Sequence, residues 1–153
     1  MAPAGAVVLV ARLTAAPAGP LGDLLAKSER EGLRLVRRLV DEWAGGVTRF
    51  DGPGEALFVA REGEAVVGVC GLSVDPYAGR PEVGRVRHLY VMPAHRRRAT
   101  GEVLVNAVIT AARGRFTRLH LRTNNPAAAR LYERLGFRPT PGAADHTHML
   151  ALD

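Results

Sequence analysis

The sequence predicts a single mixed α/β domain, a sheet with helices on its faces. Three observations carry that reading. Two strand-like runs flank Glu62-Gly63-Glu64, the pattern of a hairpin. Arg118-Leu119-His120-Leu121-Arg122 alternates apolar and basic residues, as a half-buried strand does. Apolar residues also recur at helical spacing between Leu21 and Trp43, between Val103 and Ala111, and between Ala128 and Leu135. At 153 residues the chain can bury an ordinary core. It shows neither an internal repeat nor a linker, so one domain, 1–153, is expected.

Taken in order, a first strand is expected near Val7 to Leu13. Pro17 and Pro20 lead into a helical region with two apolar faces. Leu21, Leu24, Leu25 and Ser28 form one; Leu35, Val36, Leu39, Val40 and Trp43 form the other, with Gly32 between them. Gly45 and Gly46 end the second helix. After a loop at Phe50-Asp51-Gly52-Pro53-Gly54 come the strands Ala56 to Arg61 and Ala65 to Val74, then a loop from Asp75 to Pro81. Asn125-Pro126 is a good helix start, an N-cap followed by proline at the first helical position. Gly136 ends that helix, Phe137 begins an extended piece, and the last strand lies near Thr147 to Leu152.

Composition bounds the function without choosing it. Hydrophobic residues make up 47% and charged residues 24%, ordinary for a soluble domain. The net charge of +6 permits an anionic ligand. Few exposed aromatics and no recognition-helix pattern argue against nucleic acid. The single Cys70 lies in an apolar run, reads as a packed thiol, and fits a reducing compartment. The apolar run Ala2 to Ala11 is too short to span a bilayer and lacks the positive leader of a signal peptide. A cytoplasmic protein with no membrane partner is expected.

The stretch from Arg87 to Glu102 organises the chain. Leu89, Tyr90 and Val91 are β-formers, and Pro93, which has no N–H to donate, stops the strand. Three arginines and the small corner Ala99-Thr100-Gly101 come next, then a helix with Val103, Leu104, Ala107, Val108 and Ala111 on its apolar face. A helix start presents unpaired N–H groups and a positive dipole end, and small residues admit a phosphate closely. A solvated basic turn before an ordinary helix explains the stretch equally well.

Arg96-x-x-Ala99-x-Gly101 resembles the acetyl-CoA pyrophosphate loop of the GNAT superfamily of N-acetyltransferases, and Leu89-Tyr90-Val91-x-Pro93 resembles the strand before it. Asn125-x-x-Ala128-x-x-Leu131-Tyr132-x-x-x-Gly136-Phe137 is similar to that family's second signature. The resemblance implies a mostly antiparallel sheet with helices on both faces. It also implies acetyl transfer from acetyl-CoA to a primary amine of a small molecule or peptide, and it leaves room for a homodimer; the residues themselves complete no metal site at familiar spacing, so no metal is expected. The backbone of Leu89, Tyr90 and Val91 would pair with the pantetheine arm, where that strand and the one at 118–122 splay apart. Backbone N–H groups from Arg97 through Arg98, Ala99, Thr100 and Gly101 to Glu102 would hold the pyrophosphate, with Arg96, Arg97 or Arg98 adding charge. Asn125 would bond the arm, Ala128 would let it lie against the helix, and Tyr132 would point its hydroxyl at the sulfur.

Two residues depart from the family pattern. Ala99 stands where glycine is usual, so a left-handed backbone there would be strained. Arg85 stands four residues before Leu89, where many relatives carry a glutamate base. Glu82, His88 and Asp75 are the candidate bases, His88 having the best intrinsic pKa; a water chain is the alternative. By the same resemblance Trp43, Phe50, Asp75 and Tyr77 frame the acceptor site. Arg85 and Arg87 suit an acceptor carboxylate or simply a solvated strand face. His146-x-His148 puts two imidazoles on one side of a strand without completing a metal set. A degenerate domain that binds acetyl-CoA without turnover is the competing reading.

Overall fold

The computed structural model describes residues 8–152. Seven strands, β1 (Leu9–Arg12), β2 (Ala56–Glu62), β3 (Ala65–Val74), β4 (Val83–Val91), β5 (Arg118–Leu121), β6 (Arg138–Pro139) and β7 (His148–Ala151), form one sheet in the order β1-β2-β3-β4-β5-β7-β6. The helices are α1 (Gly22–Arg30), α2 (Leu35–Ala44), α3 (Thr100–Ala112) and α4 (Pro126–Arg134). Neighbouring strands are antiparallel except β4 and β5, which run parallel. The mixed, mostly antiparallel sheet expected from the sequence is therefore present. The expected start of the first strand at Val7 lies outside the described residues, as does most of the run from Ala2. No helix among the described residues is long and apolar enough to cross a membrane.

Period-two alternation sorts each strand onto two cores. On β2, Phe58 and Ala60 enter the core beneath α3 and α4, while Leu57 and Val59 enter the core beneath α1 and α2. Leu104, Val105, Val108 and Ile109 of α3 meet Cys70, Leu72, Val86, Leu119 and Leu121 on the first face. Leu21, Leu24, Val36 and Leu39 meet Val69 and Tyr90 on the second.

Two irregularities in β4 break the regular sheet. Val69 pairs with Tyr90 but Gly71 pairs with Arg87, so His88 and Leu89 together face Cys70 in a β-bulge. His88 adopts φ 57 to make that turn. The parallel ladder between β4 and β5 also stops early, running only from Val83↔Arg118 to Arg85↔His120. Beyond that pair the two strands separate, as the family resemblance implied.

Candidate active site

The segment after β4 builds an anion cradle from backbone. Pro93–His95 makes one 3₁₀ turn, and α3 begins at Thr100. Between them Arg97 has φ 65 and Ala99 has φ 62, both left-handed. Ala99 thus occupies the backbone conformation in which its Cβ is strained. No side chain caps α3, and the first of its N–H groups to find a carbonyl is that of Val103, on Ala99 O at 2.9 Å. The N–H groups of Thr100, Gly101 and Glu102 accordingly have no intrahelical partner. Left-handed residues just ahead of them bend the chain into a concave, donor-lined nest. Thr100 is 1% exposed and its Oγ1 has no hydrogen-bond partner. A Cβ on Gly101 would stand 3.1 Å from Leu131 Cδ2, so glycine lets α3 close against α4.

The three arginines divide. Arg96 donates from Nε to the Val91 carbonyl at 3.0 Å and grips Glu31 with both Nη atoms. Its charge is thus engaged by Glu31. Arg97 and Arg98 are exposed and form no ion pair among the described residues.

The cradle follows directly on the end of β4, whose Val91 carbonyl accepts from Arg96 Nε at 3.0 Å. Met92 N–H donates to Val67 O at 2.8 Å beside the Gly68↔Val91 partners. Alternation of an antiparallel ladder then turns the N–H and C=O of Val91 away from β3, into the gap, and turns those of Tyr90 toward β3. Of the strand residues expected to meet the pantetheine arm, Tyr90 therefore offers its backbone elsewhere. Its hydroxyl bonds Glu31. Across the gap, Asn125 Oδ1 caps α4 by accepting from Ala127 N–H at 2.9 Å and Ala128 N–H at 3.4 Å, and its Nδ2 bonds no described residue. Ala128 and Leu131 pack on the α3-side core. Tyr132 is buried, edge-on to Phe137 at 5.6 Å between ring centroids, and its hydroxyl bonds no described residue. Burial raises its pKa, so the hydroxyl stays protonated.

The candidate bases fare unequally. His88 is buried against Phe50, with Nε2 unpartnered and 3.9 Å from Glu42 Oε1. Burial first, then Arg87 and Arg38, pushes its pKa down to about 3, too weakly basic to take a proton from an ammonium. Glu82 precedes β4, accepts from Arg80 Nε at 2.7 Å, and gives its carbonyl to Thr117, away from the gap. Asp75 lies at the centre of a buried polar group on the α1–α2 face of the sheet. Its Oδ2 accepts from His120 Nδ1 at 2.7 Å, and its Oδ1 accepts from Tyr77 N–H at 2.9 Å and lies 3.6 Å from Arg85 Nη1. Arg85 Nη2 donates to Asp145 O at 2.8 Å, and Tyr77 lies 4.7 Å beneath its guanidinium. Neither Arg85 nor Arg87 is solvated: Arg87 bonds Glu42 and Ser73.

His146 stands outside β7 and stacks on His120 at 3.9 Å, 10° from parallel, while His148 bonds Glu133. The expected pairing of His146 with His148 is therefore replaced by His146 with His120. Ligand atoms of His120, Asp145 and His146 lie within 4.8 Å of one another. Asp75 and Asp145 already hold one nitrogen of each ring, parallel stacking keeps the remaining lone pairs side by side, and Arg85 adds positive charge.

A family model described as the acetyltransferase (GNAT) family matches residues 20–137. The chain belongs to the GNAT family. A mycothiol acetyltransferase of Parafrankia sp. (strain EAN1pec) is 35% identical over 133 residues, 82% of this chain, and the chain spans only 37% of that relative's length. An Exiguobacterium sp. 255-15 protein assigned as an acetyltransferase superposes with a TM-score of 0.81 at 30% identity, over 95% of this chain and 93% of its own. A Salmonella typhimurium protein, likewise assigned and solved with its cofactor acetyl-CoA, shares the fold with a TM-score of 0.68 at 18% identity, over 95% and 94% of the two chains.

Within this GNAT domain the sequence reading missed His120. Its alternating strand marks it as a residue of the basic face, but His120 itself is buried because Asp75, Arg85 and the loop before β7 close over it. The one signal within the sequence was Asp75, already named beside the acceptor.

Proposed function

We propose that this domain transfers an acetyl group from acetyl-CoA to a primary amine of a small molecule or peptide, in the cytoplasm. The observation that carries this reading is the uncapped start of α3, which follows the end of β4 where the ladder to β5 has already stopped. Unpaired N–H groups of Thr100, Gly101 and Glu102 suit a pyrophosphate. Val91 offers an N–H to the gap, where it would stabilise negative charge growing on a thioester oxygen. Asn125 Nδ2 and Val91 would hold the amide-bearing arm, and Tyr132 would give a hydrogen bond to the departing thiolate. Acetyl-CoA supplies the activated acetyl group; the protein supplies position and a dry, polarised site. The relative named mycothiol acetyltransferase supports acetyl transfer as the reaction. The buried thiol of Cys70, its pKa pushed up to about 12 by burial, fits a reducing compartment.

A second reading, a domain that binds acetyl-CoA without turnover, is favoured by Arg85 at the family's glutamate position. Two measurements test both. Thermal melts should show stabilisation by acetyl-CoA, about 2.7 kcal/mol at a hundredfold excess over Kd. Gly101→Asp, which sets a negative charge in the cradle, should erase that shift while the circular dichroism spectrum keeps its shape. Thiol release across amines, amino acids, peptides and aminoglycosides should then find an acceptor. Absence of any melting shift at millimolar acetyl-CoA would sink both readings. A shift without thiol release from any amine would favour the second.

A further inference from the structure

Arg85↔His120 is the last pair of the parallel ladder, so His120 sits at the closed end of the β4–β5 gap. Leu119 and Leu121 point into the α3-side core, which turns the His120 side chain to the opposite face, the side that holds Asp75 and Tyr77. His120 is 5% exposed and Asp75 2%. Tyr77 N–H bonds Asp75 Oδ1, the Arg85 guanidinium lies 3.6 Å from the same oxygen, and Asp75 Oδ2 accepts a hydrogen bond from His120 Nδ1. The tautomer is thereby fixed, with the Nε2 lone pair unprotonated and bonded to no described residue. On the outer side His146 stacks over the ring, its own Nδ1 on Asp145 Oδ1 at 2.6 Å.

We infer that His120 is the general base of acetyl transfer, with Asp75 as its positioning residue. This inference rests on the function proposed above. It explains how a glutamate can give way to Arg85 on β4: the base moves one strand across, to the residue paired with it, and Arg85 becomes part of the frame. The proton balance closes. His120 Nε2 takes one proton from the acceptor ammonium, and the freed amine forms its bond to the acetyl carbon. The carbon–sulfur bond breaks, its electron pair leaves as thiolate, and the thiolate regains the second nitrogen proton as the amide forms. His120 then gives up its proton, so one proton reaches solvent per amide made.

The surroundings keep this base neutral when idle. Burial is the main influence lowering its pKa, with Asp75 opposing and His146 and Arg118 adding to the decrease. Arg85, Asp145 and Tyr77 complete the charged and titratable groups that enclose it.

The test is the pH dependence of thiol release in the wild type, His120→Gln and Asp75→Asn, with acetyl-CoA affinity measured by calorimetry. In His120→Gln, kcat/KM should fall about 10²-fold or more, lose its acidic limb, and keep its acetyl-CoA affinity. Asp75→Asn should fall less and shift that limb. Histidine NMR on the wild type needs no variant to fold, and should find His120 neutral and Nδ1-protonated at pH 7. Turnover surviving in His120→Gln with an unchanged profile, or an Nε2–H tautomer at pH 7, would overturn the base while leaving acetyl transfer intact. Wild-type protein inert toward every amine would overturn the acetyl-transfer reading and the base with it.

Discussion

Arg96 and Glu31 meet fork to fork, Nη2 at 2.8 Å from Oε1 and Nη1 at 2.9 Å from Oε2. The same guanidinium lies 5.5 Å over the Tyr90 ring and holds the Val91 carbonyl. One side chain thus ties the end of α1, the end of β4 and the start of the cradle. Arg96→Ala should cost about 1–2 kcal/mol, an exposed ion pair plus one hydrogen bond to backbone, and lower the Tm by roughly 2–6 °C. Arg98→Ala should leave the Tm alone and weaken acetyl-CoA binding. Melts and calorimetric titrations of both variants check this; an Arg96→Ala protein that melts like wild type but cannot bind acetyl-CoA would place that charge on the ligand instead.

Ala99 carries a Cβ at φ 62, where L-residues pay a steric cost. Ala99→Gly should relieve that cost against a smaller loss of chain entropy, for a net gain of about 0.5–1 kcal/mol. The Tm should rise by roughly 1–4 °C with acetyl-CoA binding retained. A lower Tm would mean that the loop's left-handed turn is held without strain.

Tyr132→Phe removes a hydroxyl that bonds no described residue and keeps the ring on Phe137. Because burial raises the pKa of that hydroxyl, it serves as a donor and not as a proton source. Turnover should fall by about 10²-fold or less with affinity nearly unchanged. Wild-type turnover would return Tyr132 to a purely packing role.

His88 makes stability depend on pH. Its folded pKa of about 3 lies below the model-compound value of 6.5, so between those values the unfolded chain binds the proton and the folded chain does not. Stability is therefore full above about pH 6.5 and is lost as pH falls toward 3, by an amount on the order of a few kcal/mol. The depressed pKa of His120 acts in the same direction. His88→Asn, which tolerates the left-handed backbone, should flatten the acid side of a plot of Tm against pH. An equally steep plot in the variant would assign the acid sensitivity elsewhere.

The parts of the fold written in local chemistry were legible in the sequence. The Glu62-Gly63-Glu64 turn, the Asn125-Pro126 helix start and the Ala99-Thr100-Gly101 corner each announce themselves within a few residues. The start of β4 did not, because Arg85 and Arg87 read as a solvated strand face until Asp75 and Glu42 arrive to pair them. His88 looked like a base because its intrinsic pKa is right; the bulge that buries it is a matter of register between β3 and β4. His120 and Asp75 are 45 residues apart, and only the fold brings them to 2.7 Å.

The early end of the β4–β5 ladder gives a central strand the solvent chemistry of an edge. From Val86 onward β4 has β3 on one side and no strand on the other. Its amides should then exchange with deuterium in a two-residue rhythm, Tyr90 and Met92 slowly, Val91 fast, in the middle of the best-packed part of the protein. Whatever fills the seam must imitate a strand, extended and with amides of its own, and its arrival should be legible as the loss of that rhythm.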